Sequence, residues 1–247
     1  MADIHGCYNE LIKMLEKIEF SSKDTLIIAG DYIDRGEQNI EMLNWVISAP
    51  KNIILLKGNH DEEFISYVSS MEYIKRNFET EMRDDSLEDT KKLFQAVKLS
   101  GMTFDYYDTI RVMIYEDGIT LEKMKKWSAA LDKLPYVYET DVNGKHFITV
   151  HAGFSPDIGE YYYLYARDEA YESGGKKDSI IVAGHTPTIS KNHITYNGGK
   201  IFKHYNEKIN CTYYDIDCGA VYLKLGYNEG NMACIRFDDE KEFYLYE

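Results

Sequence analysis

Four short polar clusters in this chain carry residues that could do chemistry. They cover residues 3–6 (DIHG), residues 30–36 (GDYIDRG), residues 58–61 (GNHD), and His151 together with residues 184–186 (GHT). Hard divalent cations bind carboxylate and amide oxygens together with imidazole nitrogens, and rigid strand ends hold such ligands in place. The clusters therefore offer the ligand atoms of a two-metal phosphoesterase.

The elements that would position these clusters alternate between helix and strand. Apolar residues at helical spacing predict one helix around residues 11–18 and another around residues 40–47, which Pro50 ends. The apolar runs at residues 26–29 (LIIA) and 53–56 (IILL) predict buried strands. This order is typical of an α/β sheet, whose sites lie beyond the carboxyl ends of the strands. We therefore expect the clusters to converge.

Residues 62–135 differ from the rest in being rich in Glu, Lys, Met and aromatic residues, with no proline before Pro135. Apolar spacing predicts helices around residues 64–68 and 121–131, with a charged stretch near Asp84 and Asp85 between them. We interpret this segment as a helical insertion that caps one side of the site, within a single domain of residues 1–247.

Strand patterns return in the second half of the chain. Residues 147–150 (FITV) and 180–183 (IIVA) each run into a histidine. We then predict a terminal antiparallel set of three strands, at residues 213–217, 232–237 and 243–246, with a turn at residues 228–231.

The composition excludes several classes of protein. The 247 residues hold 28 Lys and Arg against 42 Asp and Glu, a formal net charge of −14, so we expect neither nucleic acid nor an anionic membrane as a partner. No stretch reaches the roughly 18 apolar residues of a membrane span, and residues 1–20 lack a signal-peptide pattern. We therefore expect a cytoplasmic protein. The four cysteines show no CxxC spacing and are expected to be reduced, buried thiols.

Each cluster alone has an ordinary structural explanation: Asp31 could cap a helix, and His151 could be a core histidine. The coincidence of the clusters is what indicates a site. Glycine lets the backbone turn sharply and approach an ion. Such small-residue turns hold four of the seven histidines, namely His5, His60, His151 and His185.

The motifs DIHG, GDYIDRG, GNHD, VHAG and AGHTP resemble those of the PPP branch of the metallophosphoesterases, the family of Ser/Thr protein phosphatases and their bacterial and phage relatives. The resemblance spans nearly the whole chain. Residues 134–136 and 163–168 also resemble segments of bacterial members that carry a second phosphate-binding arginine. The resemblance implies an α/β fold with a β-sandwich core flanked by helices and two divalent ions between its sheets.

The resemblance further implies which residues bind the ions, with Asp31 as the bridge between them. The implied metal ligands are Asp3, His5, Asp31, Asn59, His151 and His185. Two ions about 3.5–4 Å apart share a carboxylate and stabilise both sides of an in-line displacement, for which a metal-bridging hydroxide is the nucleophile. We expect manganese, although iron, zinc and nickel accept the same ligand set.

By the same resemblance, His60 is the general acid that protonates the leaving alkoxide, and Asp34 orients it. Arg35, Arg167 and Asn59 would bind the phosphate oxygens of the substrate, since the fork of a guanidinium matches a phosphate group.

Two positions depart from the family pattern. Only Met1 and Ala2 precede Asp3, where family members carry an apolar strand and a glycine. We expect the sheet to lack its first central strand, and one hypothesis is a truncated sequence or a late start codon. Thr186 and Pro187 follow His185, where many diester-cleaving members carry a second histidine. This departure favours phosphomonoesters.

The leading prediction is a metal-dependent phosphomonoester hydrolase, a Ser/Thr protein phosphatase acting on a phosphorylated protein or a small phosphoester. The alternative is a symmetrical dinucleoside polyphosphate (diadenosine tetraphosphate) hydrolase, for which residues 161–165 offer rings for adenine, although a packed aromatic patch is the preferred explanation of these rings. RNA-end phosphatase activity is a weaker third possibility. A non-enzymatic alternative is a phosphate-binding module with an impaired first metal site, against which His60 and Arg35 argue.

Overall fold

The computed structural model describes residues 1–78, 86–101 and 107–246. They divide into two units, one formed by Met1–Asn59 with Leu134–Glu247 and the other by His60–Lys133. The first unit begins with the predicted order of helix and strand: α1 (Tyr8–Lys17), β1 (Leu26–Ile28), α2 (Asn39–Ser48) and β2 (Ile53–Leu55). β1 and β2 are parallel, with Ile27 opposite Ile54, so the polar residues that follow the two strands share one edge.

The first three residues of the chain are hydrogen-bonded alongside β1. The amine of Met1 donates to the carbonyl of Ile27 at 3.0 Å. Farther along, the N–H of Ala29 donates to the carbonyl of Met1 at 2.8 Å, and that of Asp3 to the carbonyl of Gly30 at 3.1 Å. This short parallel ladder holds Asp3 by its backbone. The sequence pattern alone does not predict such anchoring, because two residues before Asp3 are too few to register as a strand.

The described residues of the second unit form four helices: α3 (Asn59–Phe78), whose first residue belongs to the first unit, α4 (Leu87–Leu99), α5 (Tyr107–Tyr115) and α6 (Leu121–Leu131). The side chains of Tyr67 and Trp127 are buried there, as the apolar spacing predicts, and so is that of Phe94, for which no prediction was made. The charged stretch at Asp84 and Asp85 lies outside the described residues. The interpretation of residues 62–135 as a cap over the site stays a prediction.

The main sheet of the first unit has five strands. In chain order they are β3 (Val137–Val142), β4 (Lys145–Val150), β5 (Ile180–Ala183), β6 (Phe202–Asn206) and β7 (Cys211–Asp215), with two short helices, α7 (Glu160–Tyr165) and α8 (Asp168–Glu172), between β4 and β5. The spatial order is β3-β4-β5-β7-β6. The three central strands are parallel, and β3 and β6 are antiparallel edges.

Both faces of this sheet are buried, because successive side chains point to opposite sides. Phe147 and Val182 pack on one face with Ala29 and Leu56, which follow β1 and β2. Ile148 and the other residues of the opposite face pack against side chains of α7 and α8. The sheet is therefore sandwiched, and β1, β2, β4 and β5 each end in a predicted polar cluster.

The C-terminal part consists of α9 (Ala220–Lys224) and a hairpin of β8 (Ala233–Arg236) and β9 (Lys241–Tyr244). The predicted terminal antiparallel set is correct for this hairpin and wrong for β7, which lies inside the main sheet, parallel to β5 and antiparallel to β6. The local pattern of β7 shows that it is a buried strand but does not specify its neighbours.

Two other expectations concern the whole chain. All four cysteines are buried and form no disulfide, as predicted. Across the described parts of the chain, every helix is too short or too polar to span a lipid bilayer.

Glu240 links the hairpin to the main sheet. Its carboxylate accepts hydrogen bonds from Lys145 and Tyr214, and from Nζ of Lys203 at 3.3 Å. The bond from Lys145, followed by that from Tyr214, lowers the pKa of Glu240 from 4.5 to about 2. A lowered pKa stabilises the fold above the unfolded value of 4.5, and this contribution is lost as the pH falls toward about 2.

We therefore expect Glu240→Gln to lower the melting temperature at pH 7 by about 2–4 °C, since solvent screening limits such a partly exposed network to about 1 kcal/mol. The difference from the wild type should shrink as the pH falls below 4.5. Calorimetric melts from pH 7 to pH 3 measure it, with Glu207→Gln, at an exposed turn, as the matched control. A difference that is independent of pH would contradict the role of the ionised carboxylate.

Candidate active site

The backbone is left-handed at six of the predicted site residues. Their φ angles lie between 45° and 78°, at Asp3, His5, Asp31, Asp34, Arg35 and His185. Residues other than glycine rarely adopt this conformation, and in folded proteins it is concentrated at functional sites, where the surrounding structure enforces it. Sharp turns after the strands therefore aim these side chains, as the glycine-rich clusters predict.

Two glycines let carboxylates approach the backbone closely. A Cβ atom on Gly58 would lie 2.2 Å from Oδ1 of Asp31, and one on Gly184 would lie 2.0 Å from Oδ2 of Asp3. Neither contact is sterically possible, so glycine is required at both positions if the two carboxylates are to keep their places. Gly58 and Gly184, each in one predicted cluster, thus leave room for the carboxylate of an aspartate in another cluster.

The first histidine presents a lone pair to its neighbours. Nδ1 of His5 is 2.9 Å from the carbonyl of Ile33, which can only accept, so the ring proton is on Nδ1. Nε2 then carries the lone pair. It lies 2.9 Å from Nη1 of Arg35 and 3.5 Å from Oδ2 of Asp31. This is the tautomer and orientation of a metal-binding imidazole.

The same arrangement recurs at His151. Its Nδ1 donates to the carbonyl of Ala29 at 2.8 Å, so Nε2 again carries a lone pair. That nitrogen lies 2.9 Å from Oδ1 of Asn59, 3.2 Å from Nδ1 of His185 and 3.5 Å from Oδ2 of Asp31. Ligand atoms of Asp31, His151 and His185 all lie within 4.8 Å of one another. Ligand atoms that converge in this way could bind a divalent cation among them.

The side chain of Asp3 contacts the group of ligands around His151 and His185. Its Oδ2 accepts a hydrogen bond from the N–H of His185 at 3.0 Å. Its Oδ1 is buried, with no hydrogen-bond partner among the described residues. Burial, followed by the charges of Asp217 and Asp31, raises the pKa of Asp3 well above its usual value. A buried, unsatisfied carboxylate oxygen beside imidazole lone pairs fits divalent cations, which on binding polarise phosphoryl oxygens and acidify water.

The predicted phosphate-binding arginines lie beside the two histidine groups. Arg35 contacts His5, as described above. Nη1 of Arg167, between α7 and α8, donates to the carbonyl of His185 at 3.4 Å and to Oγ1 of Thr186 at 3.5 Å. Each group of predicted metal ligands therefore has a guanidinium next to it.

The predicted acid machinery is divided between the two units. Asp34 is buried in the turn after β1, where its N–H donates to Oδ1 of Asn39 at 2.8 Å. His60 follows Asn59 in α3 and belongs to the second unit. The role of Asp34 in orienting His60 stays a prediction.

Two acidic residues at the end of β7, Asp215 and Asp217, were not predicted from the sequence. Both are buried. Oδ2 of Asp215 accepts from the hydroxyl of Tyr171 at 2.8 Å, and Oδ1 of Asp217 accepts from the N–H of Gly219 at 3.0 Å. Burial raises the pKa of Asp217 to about 6, against the opposing effects of that hydrogen bond and of Arg35. The segment DIDCG has the strand-then-acid-then-glycine pattern of the other clusters, and that signal could have identified these residues.

Comparison with known proteins agrees with this architecture. Residues 1–218 match the Calcineurin-like phosphoesterase family. A symmetrical bis(5'-nucleosyl)-tetraphosphatase from Buchnera aphidicola subsp. Baizongia pistaciae is 40% identical over 78 residues, which are 31% of this chain and 28% of that protein. The enzyme of the same name from Escherichia coli O139:H28 is 45% identical over 62 residues, 25% of this chain and 22% of that protein. The chain thus matches about a quarter of the length of these curated relatives.

A crystal structure of a candidate diadenosine tetraphosphatase has the same fold. It superposes with a TM-score of 0.56 over 98% of this chain and 90% of that one, at 16% sequence identity. The α/β fold that the motifs imply is thereby confirmed. Since the family model covers most of its length, this chain belongs to the calcineurin-like metallophosphoesterases, a family of metal-dependent hydrolases.

Proposed function

We propose that this protein hydrolyses symmetrical dinucleoside tetraphosphates, adding one water across the central phosphoanhydride to give two nucleoside diphosphates. The observation that carries the hydrolytic chemistry is the convergence on Nε2 of His151, which has Asn59, His185 and Asp31 within 3.5 Å. The names of the partly matching relatives support this substrate class. The preference reverses the order favoured by the sequence, which placed protein phosphatase first.

The placement of the two arginines also supports a polyphosphate substrate. Arg35 lies beside His5 and Arg167 beside His185, so two guanidinium groups are available to separate phosphate oxygens. Each can bind two oxygens through its planar fork, and the pair would orient a chain of phosphates without forming a covalent bond to it. A ligand with several phosphate groups uses both positions more fully than a monoester does.

Phosphoserine and phosphothreonine in proteins are the second candidate. The residues assembled above would bind a phosphate group and recognise nothing beyond it. Thr186 and Pro187 after His185 also fit a monoester hydrolase. Manganese as the bound metal, two ions per chain, and a cytoplasmic location remain predictions for either function.

A substrate panel tests the proposal. With manganese-loaded protein we expect kcat/KM for diadenosine tetraphosphate to exceed that for phosphoserine, phosphothreonine and phosphotyrosine peptides by about 10²-fold or more. Adenosine diphosphate should be the single nucleotide product on chromatography. Adenosine mono- and triphosphate as products would contradict symmetrical cleavage, and a preference for phosphopeptides would support the second candidate. Fewer than two ions per chain after manganese loading, together with no turnover, would favour the binding module.

A further inference from the structure

We propose that Tyr161 and Tyr165 form a stacking surface for a nucleobase beside the candidate active site. Both residues lie on α7, four positions apart and therefore on one side of the helix. Their rings are stacked, with centroids 4.8 Å apart and planes inclined by 27°. The side chain of Tyr161 is 76% exposed, so one ring of the pair is open to a ligand. The inference rests on the proposed function, because it assigns the base-binding part of the same site.

The other two tyrosines of α7 show that this exposure is selective. Tyr162 is buried, and its hydroxyl donates to the carbonyl of Glu169 at 3.2 Å. Tyr163 stacks on Phe154 with centroids 5.7 Å apart and planes inclined by 5°. These two rings account for the packing of α7 against the sheet. Tyr161 is not needed for that packing, so a packed aromatic patch explains only part of the tyrosine run.

Backbone contacts attach α7 to the ligand-bearing loop after β4. The N–H of Ala152, next to His151, donates to the carbonyl of Tyr163 at 2.8 Å. The ring of Tyr165 meets that of His185 edge to face, with centroids 6.4 Å apart and planes at 86°. The helix is thus attached next to His151, and one ring of the tyrosine pair contacts a second predicted metal ligand, His185.

The neighbouring arginine supplies the other half of a nucleotide site. Arg167 follows Tyr165 by two residues, and its guanidinium is directed at His185 and Thr186. A base stacked on the tyrosines would therefore have a phosphate-binding group beside it on the same short segment. Stacking on an aromatic ring accepts any base, because every base has a π face. The surface should favour nucleotides over phosphopeptides while discriminating weakly between adenine and guanine.

Titration calorimetry of manganese-loaded protein with adenosine diphosphate and with pyrophosphate tests the inference. We expect the wild type to bind adenosine diphosphate more tightly, and Tyr161→Ala to weaken that binding by about 10- to 100-fold while weakening pyrophosphate far less. Tyr161→Trp should restore the affinity, since it replaces the ring. Tyr205→Ala removes a tyrosine of β6 that is 52% exposed and should bind like the wild type.

The two proposals fail in distinguishable ways. If Tyr161→Ala binds adenosine diphosphate as tightly as the wild type does, the stacking surface is wrong, whatever the panel of substrates shows. If the wild type binds pyrophosphate and adenosine diphosphate equally, the inference is likewise overturned. A selective loss in Tyr161→Ala supports the surface even if diadenosine tetraphosphate is not hydrolysed, and in that case only the proposed reaction fails.

Discussion

Replacing Asp31 by asparagine is expected to lower kcat/KM by about 10³-fold or more, on every substrate that the protein hydrolyses. Oδ2 of Asp31 lies 3.5 Å from Nε2 of His5 and 3.5 Å from Nε2 of His151, so one carboxylate serves both groups of ligands. Asparagine keeps the shape that fits against Gly58 and removes the charge. Steady-state kinetics measures the loss of turnover. Metal analysis after manganese loading and desalting should show fewer than two ions per chain.

The melting temperature in EDTA distinguishes a variant that has lost a metal ligand from one that has lost its fold. The charge of Asp31 contributes to the raised pKa of Asp3 and of Asp217, so these buried carboxylates repel one another when no cation is bound. We expect Asp31→Asn to melt in EDTA at the wild-type temperature or above it. Asp157→Asn, at an exposed position, is the matched control for removing one acidic charge. Two bound ions and undiminished turnover in Asp31→Asn would disprove the bridging role.

Replacing His60 by alanine should have an effect that depends on the leaving group. A general acid contributes about 10²- to 10⁴-fold when the departing group is a poor one, as the alkoxide of serine is. Nitrophenolate and nucleoside diphosphate leave without such help. We therefore expect kcat to fall by about 10²-fold or more on a phosphoserine peptide, and by about 10-fold or less on p-nitrophenyl phosphate and diadenosine tetraphosphate.

The predicted role of Asp34 in orienting His60 can be examined with the same substrates. If Asp34 orients His60, Asp34→Asn should show the same dependence on the leaving group with a smaller loss. Equal losses on all substrates in His60→Ala would assign this residue a part in binding and not in proton transfer.

The sequence predicted those parts of the structure that depend on local pattern. Apolar spacing located α1, α2, β1 and β2, and the glycine-rich clusters identified the turns that direct Asp31 and His185. It did not predict α7, α8 or α9, since helices of five or six residues are too short to show a period. The position of β7 in the main sheet depends on contacts between distant segments, which no local pattern contains.

The site was predictable to a similar extent. The motif residues of the first unit do come together, because parallel strands deliver them to one edge. Asp215 and Asp217 were missed, although they follow a strand in the same way as the recognised clusters. The selective exposure of Tyr161 could not be predicted either, since four tyrosines in five positions look alike until the packing of α7 determines which rings face the protein.

The hydrogen bond from the N–H of His185 to Asp3 joins residues that are 182 positions apart, and the bond from His151 to the carbonyl of Ala29 spans 122 positions. Synthesis on the ribosome proceeds from the N-terminus at roughly 5–20 residues per second. Asp3, His5 and Asp31 therefore leave the ribosome several seconds before the histidines that complete their surroundings. During that interval the nascent chain contains acidic groups whose histidine partners have not yet been synthesised. The complete group of ligands therefore forms only late in translation, and its formation reports whether the chain has finished folding.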